Sequence, residues 1–267
     1  MSDFLLQSFQ KPFVLSGAGI SAESNLATFR GSDGLWEGHR IEDVATPEAF
    51  ERDPRLVWTF YSMRREAAFR AAPNAAHVAL AEFLAAHRSS VLLTQNVDGL
   101  HERAHRRVGA TAPIAMHGRL EVTRCERCHR TWADRRGYFD RDGTPVTEKD
   151  FGVAEATDLT PLPSPERDRH GLPRSSCCGG RLRPDIVWFG ETPYSLEEIF
   201  AAVEACDVFV AVGTSGQVYP AAGLLAMDRE RGVPTAVVNA DAPANLDDGR
   251  DRYFQGTATR WIPELCG

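Results

Sequence analysis

No apolar run in these 267 residues reaches the length needed to span a bilayer. The first residues, Met1-Ser2-Asp3-Phe4-Leu5-Leu6-Gln7, have neither the basic start nor the apolar core of a signal peptide, so a cytoplasmic setting is expected. Excess positive charge is missing too. The net charge is −7, from 30 basic against 37 acidic residues, which argues against direct nucleic-acid binding and against membrane attachment. No internal repeat is evident. Cysteine is scarce, and four of the six lie in two close pairs, a pattern of metal binding rather than of a disulfide framework. What is present is ordinary for a soluble globular protein: 43% apolar and 25% charged residues, in a length that suits one large domain or one large plus one small.

Four short apolar segments share one pattern. Phe13-Val14-Leu15 runs into Ser16-Gly17-Ala18-Gly19, and Val91-Leu92-Leu93 into Thr94-Gln95-Asn96-Val97-Asp98. Val208 to Val212 runs into Gly213-Thr214-Ser215, and Thr235 to Val238 into Asn239-Ala240-Asp241. Segments apolar throughout are expected in a parallel sheet covered on both faces. Open sheets of this kind bind ligands at the C-terminal edge, where all four carry small or polar residues. A fifth segment, Asp185 to Glu191, is expected at the same rim. Helical spacing marks 75–86 and 195–205, the second opening on Ser195 as an N-cap.

Residues 123–184 differ in character. They hold the cysteine pairs and a stretch rich in Pro, Asp and Arg from Asp158 to Arg174, with no sustained apolar period. The expected architecture is therefore α/β: a Rossmann-like parallel sheet over 1–122 and 185–267, with a smaller inserted zinc-binding module over 123–184 that cannot build a core alone. The helical segment over 35–75 is placed against that module.

Gly17-Ala18-Gly19-Ile20-Ser21-Ala22 follows a strand and fits G-x-G-x-x-A, where glycines permit a tight turn and close approach of the backbone to phosphate. The usual dehydrogenase context fails. No second strand with a ribose-binding acid follows at βαβ spacing; a polar run from Glu23 to Trp36 comes instead. A long loop straight after a phosphate turn suggests a flap over the cofactor, and makes hydride transfer the poorer reading.

The runs GAGISAES, TFRGSDGLW, TQNVDGLH, MHG, VGTS and VNAD, in this order and across nearly the whole chain, resemble the sirtuins, NAD-dependent protein lysine deacylases. With HRIEDVATPEAF and Tyr61-x-x-Arg64 the likeness is greatest to the bacterial CobB type and its mitochondrial desuccinylase relatives. Asn25 departs from the pattern, which usually has glycine there; Asn tolerates positive φ better than most residues.

The resemblance implies that NAD is a co-substrate consumed in deacylation, giving nicotinamide and O-acyl-ADP-ribose. The acyl oxygen attacks the nicotinamide ribose, and a histidine base then activates a ribose hydroxyl. His117 matches that base, and an imidazole is suited to it because its pKa lies near neutral. Gln95, Asn96 and Asp98 match contacts to nicotinamide and ribose. Gly17, Ala18, Gly19, Ser21 and Glu23, with Thr28, Phe29, Arg30 and Trp36, match the phosphate and reacting-ribose side. Gly213, Thr214, Ser215, Asn239, Ala240, Asp241 and Ala258 match the adenosine side. For a single member such as Ser215 or Asp241 an ordinary strand-end cap is the competing reading.

The acylated peptide is expected to add as a strand between Val187–Glu191 and Gly216–Tyr219, with Val187, Phe189, Gly190, Glu191 and Val218 in contact. Tyr61 and Arg64 share a helix face, and a guanidinium beside a phenol can hold a carboxylate. Spacing alone favours a solvated arginine face, with Arg65 and Arg70 close by. The resemblance reverses this, because the same pair reads succinyl, malonyl or glutaryl groups in the acidic-acyl branch, with Ala45 leaving the pocket roomy. Mono-ADP-ribosyl transfer and a non-catalytic NAD or ADP-ribose sensor are the alternatives.

Cys125-x-x-Cys128 and the adjacent pair Cys177-Cys178 read as one structural zinc site. The family's second pair is usually separated by two or more residues, and here Ser175 stands where a C-x-x-C partner of Cys178 would be. Adjacent cysteines are expected to strain their loop, which leaves open four thiolates, three thiolates plus a histidine or water, or a weakened site.

Overall fold

A computed structural model describes residues 4–28, 38–151 and 159–267, with Thr147 and Glu148 described in backbone alone. Its centre is a six-stranded parallel sheet. The order across it is Asp251–Gln255, Thr235–Asn239, Val208–Val212, Pro12–Ser16, Val91–Thr94 and Ile114–Ala115. The four segments expected as strands are its four middle strands.

Side chains in a strand alternate between faces, and here both faces are covered. Val14, Leu92, Val210, Val212 and Val238 pack with the helices Ala75–Ala86 and Ala258–Cys266. Phe13, Leu15, Leu93, Phe209, Ala211 and Val237 pack on the other face, with Ile199, Val203, Leu224 and Leu225 of the helices Leu196–Ala205 and Ala221–Glu230. This is why the strands are apolar throughout. Parallel pairing aligns Ser16 with Thr94 and with Val212, so the strand ends meet along one edge.

The second lobe has no large sheet. Gly118–Cys125 pairs antiparallel with both Leu182–Ile186 and Thr131–Ala133. Two hairpins, Arg136–Phe139 with Pro145–Asp150 and Glu166–Arg167 with Pro173–Arg174, complete its strands among the described residues. Its apolar centre is shared. Tyr138, Phe139, Leu162, Leu172 and Leu182 close over Val57, Trp58, Phe60 and Tyr61 of the helix Pro54–Arg70. The sequence boundaries at 122/123 and 184/185 both fall within paired strands, the second at a register shift between Pro184 and Asp185.

Arg65 corrects the expectation of a solvated arginine face around Arg64. It is fully buried, and its guanidinium uses all five N–H donors. These go to the carbonyls of Leu120 (2.7 Å), Val122 (3.0 Å) and Arg136 (3.1 Å), to Asp134 Oδ2 (3.0 Å) and to Thr123 Oγ1 (2.6 Å). One side chain thus ties the helix to two strands of the small lobe. Ser195 is a smaller correction. It stands at the N-cap of Leu196–Ala205, but in left-handed backbone (φ 58°) and with no capping bond from its side chain. Among the described residues no helix is long and apolar enough to cross a membrane.

Candidate active site and metal centre

The C-terminal edge of the large sheet and the wall of the small lobe enclose a cleft of about 480 Å³. The first loop reaches it as a 3₁₀ helix, Ala18–Ser24, closed by Asn25 at φ 61° and ψ 33°. The left-handed residue that the departure from glycine put at issue is therefore present, and Asn accepts it. The glycines here answer to close packing between loops. A Cβ on Gly19 would lie 2.7 Å from Gly213 Cα, and one on Gly17 would lie 2.7 Å from Gly213 O. The amides of Gly17 and Gly19 donate to the carbonyls of Val212 (2.9 Å) and Gly213 (2.8 Å). They brace one strand-end loop against the next, a use that G-x-G spacing did not disclose.

A polar layer forms the floor. Ser21 Oγ donates to Asp98 Oδ2 (2.8 Å) and accepts from Asn96 Nδ2 (3.2 Å). Asp98 Oδ1 accepts from the amide of Leu100 at 2.9 Å. His77 Nε2 lies 3.4 Å from Ser21 Oγ, its ring held in a capping box with Asn74. Burial pushes the His77 imidazole down to about 4, against the pull of the Asp98 charge. Ser16 Oγ donates to Thr94 Oγ1 (2.9 Å) and faces His101 Nε2 at 3.0 Å. Sequence reasoning placed Ser16 at the sheet edge without a role and passed over His77 and His101. The trace available was Asn74-x-x-His77 at the start of a helix, which announces a cap and nothing about a cleft.

His117 sits where the two lobes meet. Its Nδ1 lies 3.1 Å from the carbonyl oxygen of Gln95, and its own carbonyl accepts from the amide of Val187 at 2.9 Å. A carbonyl can only accept, so Nδ1 carries the proton and Nε2 is left basic. Desolvation lowers the His117 pKa, and the bond to Gln95 opposes the shift without cancelling it. The glycine after it is obligatory: at Gly118 (φ 82°) a Cβ would fall 2.0 Å from Asp185 O. Gln95 Nε2 donates to Thr214 Oγ1 at 3.1 Å, linking the second strand-end loop to the third.

Of the residues expected at the cofactor, Gly17, Ala18, Gly19, Ser21, Thr28, Gln95, Asn96, Asp98, Gly213, Thr214, Ser215, Asn239 and Asp241 line the cleft. Three expected members stand outside its lining. Glu23 turns to the last helix and accepts from Thr259 Oγ1 at 2.6 Å. Ala258 is buried beneath the sheet in the apolar core, and the carbonyl of Ala240 faces Gln255 Nε2 at 3.4 Å. Phe29, Arg30 and Trp36 lie outside the described residues.

Ala45, Tyr61, Arg64, Val187, Phe189, Gly190, Glu191 and Val218 line the same cleft, with Trp188 and the exposed ring of Tyr219. The segment 187–191 thus faces the rim from the small lobe and is not a strand of the large sheet. Its amides are largely engaged: Val187 to His117 O, Phe189 to Ala45 O (3.0 Å), Trp188 to Glu191 Oε2 (2.8 Å) and Glu191 to Trp188 O (3.0 Å). A peptide strand here would pair chiefly through carbonyl oxygens.

The two cysteine pairs converge in the small lobe. Cys125 Sγ is 3.4 Å from Cys178 Sγ, and Cys128 Sγ is 3.6 Å from Cys177 Sγ. Tetrahedral zinc with Zn–S near 2.3 Å sets its sulfurs roughly 3.8 Å apart, so the spacing fits. Cys125, Cys128 and Cys178 form the tighter group, and Cys177 is exposed, with Ser175 Oγ 2.9 Å from its sulfur. The expected strain is not carried by the pair. Neither Cys177 nor Cys178 has positive φ; Gly179 takes it at 68°, and Gly179 N closes the turn on Ser175 O at 2.7 Å.

A parallel sheet with this edge and a cysteine-held lobe define a class. The model of the Sir2 family matches residues 17–220, and the chain belongs to that family. It is 41% identical over 266 residues to an NAD-dependent protein deacylase of Escherichia coli strain K12, covering 97% of this chain and 82% of that one. It is equally identical over 262 residues to a deacylase of the same description from Caulobacter vibrioides, covering 97% and 96%. Among solved structures, a Sir2 homologue in complex with NAD has a TM-score of 0.75 at 35% identity, covering 97% of this chain and 88% of that one. The chain is an NAD-dependent protein lysine deacylase, and its cysteine cluster is consistent with one structural zinc.

Proposed function

We propose that the chain removes acetyl groups, and succinyl or malonyl groups at least as well, from lysine in proteins, releasing nicotinamide and O-acyl-ADP-ribose. One observation carries the acyl preference. Tyr61 and Arg64, one helical turn apart, both face the cleft that His117 lines, beside Ala45. Tyr61 is completely buried, so its hydroxyl is held in place, and desolvation raises its pKa, keeping the phenol a neutral donor. A guanidinium next to such a donor suits a carboxylate at the end of a short acyl chain.

In this reading His117 Nε2 takes the proton from a ribose hydroxyl while Gln95 O holds the ring. Asn96, Asp98 and Ser21 orient the nicotinamide ribose, and the loops at Gly17 and Gly213 seat the phosphates. Thr214, Ser215, Asn239 and Asp241 take the adenosine side, and Val218, Phe189 and Gly190 the peptide. Phe29, Arg30 and Trp36 are assigned to the flap over the cofactor. Cys125, Cys128, Cys177 and Cys178 would together hold the zinc, which fastens the small lobe and takes no part in the chemistry. The NAD-binding domain is the part of the chain that builds the parallel sheet, and the zinc module is the lobe around 123–184. The paired strands Gly118–Cys125 and Leu182–Ile186 stand at its boundary, and the helix Pro54–Arg70 packs on it. A cytoplasmic setting keeps the four thiols reduced.

Incubation with NAD and a succinylated peptide should release nicotinamide and free lysine together, whereas mono-ADP-ribosyl transfer would release nicotinamide alone. Arg64→Met should lower kcat/KM on the succinylated peptide far more than on the acetylated one. An equal loss on both would reject the acidic-acyl reading.

A further inference from the structure

Behind Tyr61 stands a second set of charged groups that the chemistry above does not use. The indole of Trp188, 2% exposed, donates from Nε1 to Tyr61 Oη at 3.0 Å. The indole also packs on the Phe50 ring, centroids 5.2 Å apart, and meets a cation: Arg183 Cζ lies 3.2 Å from the ring centroid. Arg183 is held in turn by a two-pronged bond to Glu191, Nη1 to Oε1 at 2.8 Å and Nη2 to Oε2 at 2.9 Å, and by Ile186 O at 2.7 Å. Glu191 Oε2 also accepts the backbone amide of Trp188, and Arg124 Nη2 reaches Glu191 Oε1 at 3.1 Å. Ring and backbone of one tryptophan are therefore fixed to the same carboxylate–guanidinium unit.

Burial alone would raise the Glu191 carboxyl; the bonds from Arg183 and from the Trp188 amide outweigh it and hold the group ionised. Glu191 lines the cleft with the segment expected beside the peptide, and its side-chain oxygens are occupied by Arg183, Arg124 and the Trp188 amide.

The consequence lies at the phenol. A hydroxyl that accepts an N–H from a fixed direction must turn its own proton off that line. Its rotation is narrowed before any substrate arrives, and hydrogen bonds aligned in advance lose less on binding. We propose that Trp188, clamped by Arg183 and Glu191, is a positioning residue that sets the Tyr61 hydroxyl as a donor to the carboxylate of an acidic acyl group. An acetyl group ends in a methyl and gains nothing from that donor. This inference rests on the acidic-acyl reading of Tyr61 and Arg64, and adds the residues that make the pair selective.

The test compares wild type, Trp188→Phe, Tyr61→Phe and the double variant on succinylated and acetylated versions of one peptide. Trp188→Phe keeps an aromatic face for Arg183 and removes the N–H along with part of the buried ring. The ratio of kcat/KM for succinyl over acetyl should fall by about 10-fold, mainly through KM, as expected for an ill-set bond to a charged group. In the Tyr61→Phe background the same change should leave the ratio where Tyr61→Phe put it. Equal losses on both peptides, or an unchanged ratio beside an active wild type, would overturn the proposal while sparing the pocket reading. A wild type without activity on the succinylated peptide would overturn both. If Trp188→Phe melts early, Glu191→Gln, which loosens the clamp one residue further back, should give the same fall in the ratio, and its failure to do so counts against the proposal.

Discussion

His117 and Gln95 are joined by a bond whose direction is fixed by chemistry: a ring nitrogen 3.1 Å from a carbonyl oxygen can only donate to it. The bond selects the tautomer with a basic Nε2, and burial lowers the pKa so that the neutral ring persists below the ordinary histidine value of 6.5.

The acid limb of the kcat/KM profile should therefore fall below pH 6.5, because a lowered pKa keeps the base form present further into acid. An acid limb well above 6.5 would remove His117 from the role of base. His117→Ala should cost on the order of 10²- to 10⁴-fold in kcat with the melting temperature little moved.

Asn25 closes the first loop in left-handed backbone. Asn25→Gly should therefore be tolerated, whereas Asn25→Val should lose about 1–2 kcal/mol in chemical denaturation, the cost of placing a branched side chain there. Equal stability of the two variants would show that the loop does not need this conformation.

Arg65 and Asp134 form an ion pair with neither side chain exposed. Arg65→Met should destabilise by roughly 3–5 kcal/mol, because Asp134 would remain as a charge without its main partner. Desolvation tends to raise the Asp134 pKa, but the charges of Arg65 and Arg136 and the bonds it accepts hold it below its ordinary 3.8. A depressed carboxyl contributes stability above the unfolded value and loses it as pH falls through the folded one. Acid unfolding should accordingly deepen below pH 3.8 in wild type and less so in Asp134→Asn, as followed by circular dichroism.

The four cysteines should not be equal. Cys125 is buried within the tight group, while Cys177 is exposed and shares its sulfur with Ser175. Cys125→Ser should lose zinc and melt early, and Cys177→Ser should retain zinc in metal analysis but yield it to chelator faster. Indistinguishable zinc retention in the two variants would refute this ranking.

Much of the large sheet could be read from residues alone. An apolar run ending in small or polar residues states both its burial and its edge, and the helix at 75–86 has the same bounds in the structure. The small lobe could not be read this way. Its apolar residues are spaced by hairpins, and they form a core only because a helix from elsewhere in the chain supplies Trp58, Phe60 and Tyr61. Among the site residues, those in strand-end loops followed from the sheet edge. The roles of His77 and Trp188 did not, because each reaches a partner far away in sequence, and that of Arg183 did not, because its bonds to Ile186 and Glu191 depend on how the chain between them turns.

The glycine-rich turn, the four strands and the cysteine pairs were determined by the sequence itself, since periodicity and residue type are local, whereas the histidine after Met116 stood out only through the family resemblance. Arg64 and Arg65 mark the limit of that reading. They are chemically identical neighbours on one helix, separated by a rotation of about 100°. Only the packing of the small lobe decides that Arg65 is buried on Asp134 while Arg64 lines the cleft. The burial of one and the place of the other at the cleft are properties of the assembled lobes, which no local pattern encodes.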